Sequence, residues 1–212
     1  MSKQEKYIVL LYKYIAANGF DHSMDEIAAA LHITRKTLHN RYSIRQSIDD
    51  MVVEYWKNLF VSRFEKKMLY SNHVMETLLI LIFELELSII NEFPIYERES
   101  GEYKDPKKIE THFLVPLLTQ IIKNGQQTGE ISIDIDPKKY ACYYIYIIIN
   151  MLFLSMTQEI RKENLKTKKD RISKVNSSLQ IDIIEYAIAP ILTTKGKSIV
   201  KELDLNLLFI VH

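Results

Sequence analysis

Residues 24–42, MDEIAAALHITRKTLHNRY, contain the pattern of two short helices joined by a tight turn. Ser23 precedes the first helix, and Glu26 stands three residues later, which is the spacing of a capping box. Thr34 is placed to cap the second helix. Small and apolar side chains give the first helix an inner face: Ile27, Ala28 and Leu31. This pattern predicts a helix-turn-helix, a motif whose second helix lies in the DNA major groove.

The charge around this stretch favours the same interpretation. No acidic residue occurs between Glu26 and Asp49, whereas the interval contains the following basic residues and histidines: Arg35, Lys36, Arg41, Arg45, His32 and His39. A duplex presents a dense row of phosphates, so a surface that meets it should lack carboxylates. The alternative is a solvated basic helix in an ordinary helical bundle.

The second helix of the motif supplies the candidate DNA contacts. Arginine pairs with guanine and asparagine with adenine in the major groove, so we expect Arg35, Lys36 and Asn40 to contact bases. Phosphate contacts, or plain exposure to solvent, are expected for a further set: Thr34, Thr37, His39, Arg41 and Arg45. Leu38 should face inward, and Tyr42 should pack.

Composition points to an all-α protein. The chain has 212 residues, 47% of them hydrophobic, with only five glycines and five prolines, and strand-like alternation is rare. The net charge is +1, so DNA binding must come from a local patch rather than from global charge. Cys142 is the sole cysteine, which excludes an internal disulfide. The N-terminus does not have the pattern of a signal peptide, and we expect a cytoplasmic protein.

The helix-turn-helix resembles the N-terminal domain of the TetR (tetracycline-repressor) family of bacterial transcriptional regulators. The resemblance lies in Ala16–Phe20, Ile27-Ala28, Ile33–Leu38, Tyr42 and Arg45. His32, Lys36 and His39 differ from the residues usual in that family.

A second point of resemblance lies near the middle of the chain, in a Gly-Gln, Gly-Glu, Asp-Pro pattern that opens a long helix. The residues are Gly125, Gln126, Gly129, Glu130, Asp136, Pro137 and Ala141. The resemblance implies a three-helix DNA-binding domain over residues 1–46 and a helical-bundle domain for ligand binding and dimerisation over residues 47–212. It implies a ligand-responsive regulator, expected to be a repressor that a small-molecule effector releases from a palindromic operator in double-stranded DNA.

The spacing of apolar residues and the positions of glycine and proline predict the helix bounds. The first runs from Lys3 to Asn18, and a long strut helix runs from Arg45 to about Lys67. A third, from Ser71-Asn72 to about Glu92, should be ended by Pro94, with a loop over residues 93–105. Pro116 should kink or break the next helix, which starts at Pro106. Later helices are expected at Pro137–Glu163 and from Ser177 or Ser178 to about Leu192.

A single recognition helix spans few base pairs, so such proteins bind DNA as two-fold dimers. The last two predicted helices are the expected interface, and the resemblance implies that they form a four-helix bundle with their partners. The alternative is that both helices belong only to the internal core.

Aromatic side chains and one amide form a candidate effector pocket: Trp56, Phe60, Phe83, Phe113, Tyr143, Tyr146, Asn150 and Phe153. Each of them could instead be an ordinary core residue. Glu84 and Glu86 lie in an apolar helix, where they could bind a cationic ligand. Because buried charges are rare without partners, we expect both to face solvent.

Tyr140–Thr157 has no charged residue and approaches the length of a membrane span, but its tyrosines and Asn150 favour a buried core or dimer helix. Together with the apolar tail LDLNLLFIVH, this run supports an alternative hypothesis, a helical interaction module or membrane-peripheral protein without sequence-specific DNA binding. No motif of an enzyme, metal site or cofactor site occurs. We therefore expect no enzymatic activity, no metal and no cofactor.

Overall fold

The computed structural model describes residues 3–42, 45–101, 106–163 and 187–202. These residues form α-helices joined by short links, and the predicted all-α class is confirmed. The helices are α1 (Lys3–Asn18), α2 (Met24–Ala30), α3 (Arg35–Arg41), α4 (Arg45–Met68), α5 (Val74–Gly101), α6 (Val115–Thr128), α7 (Pro137–Glu163) and α8 (Thr194–Glu202).

The first helix follows its predicted bounds. Gly19 ends it in the left-handed conformation, with a φ of +85°, and its amide donates to the Ile15 carbonyl at 2.8 Å. Leu11 and Ile15, four residues apart on the apolar stripe, are fully buried. The stripe packs α1 against both α4 and α5.

The strut helix α4 is unbroken over 24 residues. Buried side chains recur along it at helical spacing: Ile48, Val52, Trp56, Phe60 and Phe64. This face of α4 packs on α1 and on α5. One continuous helix therefore joins the neighbourhood of the helix-turn-helix to the helical body.

The helix predicted to end near Glu92, before Pro94, is interrupted at that residue, but the loop predicted over residues 93–105 was wrong for residues 93–101, which are helical. The α5 helix continues to Gly101, and the interruption is a kink at Glu92, whose φ of −132° and ψ of 27° are not helical. Proline lacks an amide hydrogen, and its ring collides with the carbonyl four residues earlier. In α5 this conflict bends the helix instead of ending it, and buried Ile95 and Tyr96 belong to the segment after the kink.

The predicted break at Pro116 is confirmed. Residues Pro106–Thr111 form a 3₁₀-helix, and α6 begins at Val115 with Pro116 in its first turn, where a missing amide hydrogen costs nothing. Leu118, Ile121 and Ile122 are buried on the inner face of α6, which packs mainly against α7.

The Gly-Gln, Gly-Glu pattern forms the end of α6 and connects it to the start of α5. A Cβ atom on Gly125 would lie 2.6 Å from the Ile131 side chain, so a larger residue there would require that side chain to move. Gly129 ends α6 with a φ of +74°. The buried Glu130 carboxylate then accepts the Val74 amide at 2.9 Å, which caps the first turn of α5. Ile131 forms a single antiparallel bridge with Leu192, a partner that the sequence did not predict.

The α7 helix has its predicted bounds, Pro137–Glu163. No helix in the described part of the chain has the combination of length and hydropathy that a membrane crossing requires. Of the helix predicted to end near Leu192, residues up to 186 lie outside the described residues, as does the apolar tail from 203. The α8 helix, which was not predicted, follows that predicted helix and contacts α5.

Candidate nucleic-acid interface and effector site

The capping box predicted for the helix-turn-helix is present. The Ser23 hydroxyl accepts the Glu26 amide at 3.3 Å, and the Glu26 carboxylate accepts the Ser23 amide at 2.7 Å. His32 adopts a φ of +53° in the turn, which lets the Ile33 amide donate to the Ala28 carbonyl at 3.0 Å. A non-glycine residue in this conformation is uncommon and marks a tightly constrained turn.

The second helix of the motif is capped as predicted. Thr34 accepts the Thr37 amide at 3.1 Å through its hydroxyl. Leu38 is fully buried and Tyr42 nearly so, which confirms that both face inward. Their packing fixes which side of α3 is left for a partner.

Most of the predicted DNA-contacting side chains share the outer side of α3. The exposed ones are Thr34, Arg35, Lys36, His39 and Asn40, with Thr37 half-buried. The side chains of Arg41 and Arg45 lie outside the described part of the structure. The outer side thus presents two cations, one amide and one imidazole within two helical turns, the chemical groups that contact phosphates and base edges.

Asp25 was not predicted to take part in this surface, yet its carboxylate accepts from the Arg35 guanidinium at 2.8 Å. Both side chains are more than half exposed, so the pair contributes little to stability. Its effect is local, because it orients a candidate base-reading side chain toward α2.

Three of the predicted pocket residues lie together. The rings of Trp56, Phe60 and Phe113 have centroids 5.8–5.9 Å apart, in tilted and edge-on arrangements. Tyr96, which sequence reasoning missed, adds a fourth ring 6.4 Å from Trp56. We call Trp56, Phe60, Tyr96 and Phe113 the aromatic cluster.

His112 stacks on Phe113 with the ring centroids 4.8 Å apart. Burial, together with the charge of nearby Lys57, lowers the pKa of His112 to about 3, so the imidazole is neutral at physiological pH. Its Nδ1 accepts the Leu114 amide at 3.2 Å. No group of three or more His, Cys, Asp or Glu side chains within the described ranges is placed to hold a metal.

The other predicted pocket residues are not brought to the aromatic cluster. Phe83 lies under the Lys67 ammonium, 4.7 Å from its ring centroid. Tyr143 and Tyr146 are 53% and 37% exposed on the surface of α7, and the Asn150 amide donates to the Tyr146 carbonyl at 2.6 Å. The side chain of Phe153 lies outside the described residues.

The prediction that Glu84 and Glu86 face solvent was wrong, since they are 1% and 3% exposed. Glu84 is compensated by two cations of α4, the Arg63 guanidinium at 3.3 Å and the Lys67 ammonium. Ion pairs of this kind offset part of the free-energy cost of removing a carboxylate from water. The available signal was the four-residue spacing of Glu84, Ser88 and Glu92, which places three polar side chains on one face of an apolar helix.

Glu92 lies at the kink of α5 and accepts hydrogen bonds from two other helices. The Trp56 indole N–H donates at 2.6 Å, and the Arg63 guanidinium donates to both carboxylate oxygens at 2.8 and 3.1 Å. The Tyr12 hydroxyl of α1 donates as well. Burial by itself would raise the pKa of Glu92, but these donors hold that pKa below its ordinary value, so Glu92 is ionised.

An open groove of about 470 Å³ runs along the outer side of α4. Its lining residues are Glu54, Lys57, Asn58, Val61, Ser62, Glu65 and Phe113. Phe113 therefore belongs both to the wall of this groove and to the aromatic cluster behind it. The Lys57 ammonium is held in place by Glu99 at 2.8 Å.

No protein-family model and no curated protein matches the chain. Solved structures do match it over most of its length. A TetR-family transcriptional regulator from Pectobacterium atrosepticum superposes with a TM-score of 0.62 at 16% identity, covering 91% of this chain and 98% of that one. A putative TetR-family regulator from a Rhodococcus species superposes with a TM-score of 0.60 at 16% identity, covering 85% and 97%.

A putative transcriptional regulator from Saccharomonospora viridis, solved in complex with choline, superposes with a TM-score of 0.64. It is 16% identical, and the alignment covers 90% of this chain and 97% of that one. Identities this low establish similarity of fold only. Taken with the helix-turn-helix geometry, these matches show that the chain has the all-α fold of the TetR-family transcriptional regulators.

Proposed function

We propose that the protein is a homodimeric, ligand-responsive transcriptional regulator that binds operator DNA through α3 and acts as a cytoplasmic repressor rather than as an enzyme. Residues 1–46 would bind DNA, and residues 47–212 would bind the effector and the second subunit. The observation that carries the proposal is the capped α3 helix, which buries Leu38 and presents Arg35, Lys36 and Asn40 to solvent.

DNA binding is supported by the chemistry of that outer side. Side chains that pair with base edges stand beside groups suited to phosphates, and the stretch between Glu26 and Asp49 contains no carboxylate of its own. Because the net charge is only +1, such a patch is needed for any duplex affinity. We assign Arg35, Lys36 and Asn40 as base contacts and Thr34, Thr37, His39, Arg41 and Arg45 as phosphate contacts.

Dimerisation is supported by the surface of α7. Tyr143 and Tyr146 are large, partly apolar side chains at 53% and 37% exposure, and half-buried Ile147 and Asn150 continue the same helical face. Aromatic residues are enriched in the buried centres of protein interfaces. We therefore assign this face of α7 to the partner subunit rather than to the effector pocket.

An effector site is supported by the aromatic cluster and by the groove on the other side of Phe113. Rings of this kind bind flat apolar groups and organic cations. Choline, which is bound in the Saccharomonospora viridis regulator, is accordingly one compound to test here. Trp56 is the sole tryptophan, so its fluorescence reports on the cluster without a label.

The function is tested by selecting duplexes from a random pool with the wild-type protein and measuring the affinity of the recovered sequence. We expect one preferred palindrome, lower affinity at higher salt, and a loss of preference in Arg35→Ala/Asn40→Ala. Lys66→Ala/Asn72→Ala is the control, because it removes one exposed cation and one exposed amide far from α3. Circular dichroism verifies the fold of both variants.

Unchanged preference in Arg35→Ala/Asn40→Ala would reject these base contacts. Recovery of no preferred sequence by the wild-type protein would reject the function and favour a helical interaction module. Once a palindrome is known, compounds that quench Trp56 are added to the complex. An effector should release the duplex, whereas a compound that quenches without release would bind outside the regulatory equilibrium.

A further inference from the structure

We propose that Glu92 is a positioning residue, which through the Tyr12 hydroxyl sets the orientation of α1, and with it the helix-turn-helix, relative to the helical body. The inference rests on the proposed function, because orientation matters only if two recognition helices must match one operator. Beyond that function, it identifies the atoms that hold the DNA-binding part in its orientation.

The carboxylate of Glu92 is a meeting point of three helices. One oxygen accepts from Tyr12 of α1 and from Arg63 of α4, and the other accepts from Trp56 and Arg63, both in α4. Glu92 itself belongs to α5. Tyr12 and Glu92 are 80 residues apart in sequence, so this contact depends on the relative placement of α1 and the body.

The kink at Glu92 directs the last part of α5 toward the DNA-binding part. In a regular helix the backbone of Glu92 would have helical torsions, but its φ of −132° and ψ of 27° redirect the chain ahead of Pro94. After the kink, α5 continues beside the DNA-binding part. There the Arg98 guanidinium lies 4.6 Å from the Phe20 ring centroid and 3.3 Å from the Asp49 carboxylate.

The hydrogen bond from the Tyr12 hydroxyl to the Glu92 carboxylate favours one orientation of α1. Glu92 is buried and ionised, and a charge in that position needs all its donors because water is excluded. A rotation of α1 that withdrew the Tyr12 hydroxyl would remove a charge-assisted hydrogen bond, the strong kind. Packing of the Tyr12 ring on Tyr55, with centroids 5.3 Å apart, would remain and tolerate several angles. The hydroxyl therefore distinguishes orientations that ring packing alone does not.

The shared carboxylate also joins this contact to the effector region. Trp56 belongs to the aromatic cluster through its ring and to Glu92 through its N–H. A compound that displaced the indole would remove one donor from the group that holds α1. The structure thus contains a short connection from the aromatic cluster to the helix-turn-helix, through Trp56, Glu92 and Tyr12.

The test uses the duplex selected by the wild-type protein and a scrambled duplex of equal length. Tyr12→Phe removes only the hydroxyl and should weaken binding to the selected duplex about tenfold. Binding to the scrambled duplex should be unchanged, because it is governed by charge. Tyr14→Phe, on the same helix with its ring against His22, is the matched control and should change neither.

A double-mutant cycle with Glu92→Gln identifies the partner. If Glu92 acts through Tyr12, then Tyr12→Phe adds no further loss in the Glu92→Gln background. A purely structural role would instead lower the thermal midpoint and leave the ratio of specific to scrambled affinity intact.

Wild-type affinity of folded Tyr12→Phe for the selected duplex, or additive losses in the double variant, would overturn this inference while the proposed function stands. Should Glu92→Gln fail to fold, Tyr12→Phe against Tyr14→Phe decides the matter. Absence of any sequence preference in the wild-type protein would overturn the proposed function and this inference together.

Discussion

Arg35, in the first turn of α3, has a carboxylate partner within its own chain. Asp25 holds it at 2.8 Å in the free protein, whereas DNA would offer phosphates and a guanine edge. Leaving Asp25 costs little, because exposed ion pairs of this kind are worth roughly 0–1 kcal/mol. Asp25 would therefore oppose the proposed DNA binding by a small amount and limits the directions that Arg35 samples.

Asp25→Asn should raise the affinity for the selected duplex about threefold, because it removes a competitor for Arg35 and a charge that repels phosphates. Asp21→Asn, an exposed carboxylate on the link before α2, makes the same change in charge. The two are compared by fluorescence anisotropy. Equal gains in both variants would mean that general charge, and not release of Arg35, accounts for the effect.

Ionised Glu92 should make the stability of the folded protein fall at low pH. Its pKa is lower in the folded protein than the unfolded value of about 4.3. Its stabilising contribution is therefore complete above the unfolded pKa and is lost as the pH falls through the folded pKa. The charged groups near it are Arg63, which donates to it, and Glu84, which shares Arg63.

Glu92→Gln should lower the free energy of unfolding by about 3 kcal/mol at pH 7, because Arg63 loses one of its two buried carboxylate partners and keeps only Glu84. The deficit should shrink as the pH falls below the unfolded pKa of about 4.3 toward the lower folded pKa, because the wild-type protein loses the same contribution there. Thermal unfolding across this range measures the deficit, with Glu65→Gln on the exposed side of α4 as control. A deficit that does not vary with pH would contradict the ionised state assigned to Glu92.

At the scale of the helices, local signals predicted α1 to α4 and α7 closely, because their caps and stripes lie within the segments themselves. Ser23, Thr34 and Pro137 each fix a helix start through neighbours in sequence. The course of α5 was not predictable in this way. Its continuation past Pro94 depends on long-range contacts, such as those of Glu92 and Arg98.

In the candidate site too, some features follow from local sequence periodicity and others depend on long-range packing. The outer side of α3 follows from periodicity, since Leu38 and Tyr42 must face inward. The four-residue spacing of Glu84, Ser88 and Glu92 places them on one face of α5, but their cationic partners follow only from the packing of α4 on α5. A carboxylate in an apolar helix was therefore assigned to solvent, although Arg63 lay 21 positions earlier in the chain.

Attachment of α8 depends on Gly196. A Cβ atom there would lie 2.3 Å from the Glu130 carbonyl oxygen, a backbone atom that the α5 cap holds in place. Gly196→Ala should therefore destabilise the protein by about 1–3 kcal/mol through overpacking. Gly101→Ala is the control, because no atom of the described residues lies within 4 Å of its Cβ position. Urea unfolding compares them, and equal midpoints would contradict the close approach of α8.

At the scale of the whole molecule, the proposed regulator needs two subunits, and the exposed face of α7 is the assigned contact. Tyr143→Arg should place a charge at the centre of that contact and shift the protein from dimer to monomer in light scattering at micromolar concentration. Tyr70→Arg, an 82% exposed tyrosine after α4, should leave the dimer intact.

The Tyr143→Arg monomer should lose affinity for the full palindrome but bind a half-site as the wild type does, because α3 is untouched. A wild-type protein that is monomeric at these concentrations would contradict the assembly proposed here.

The unbroken course of α4 has a mechanical consequence. Its 24 residues span about 36 Å at 1.5 Å per residue. If the helix pivots at one end by about 5°, the other end swings through about 3 Å, nearly the rise between successive base pairs. A movement of this size requires no refolding. In the proposed regulator, a small displacement at the effector site would shift the recognition helix α3 by about one base-pair step relative to the operator.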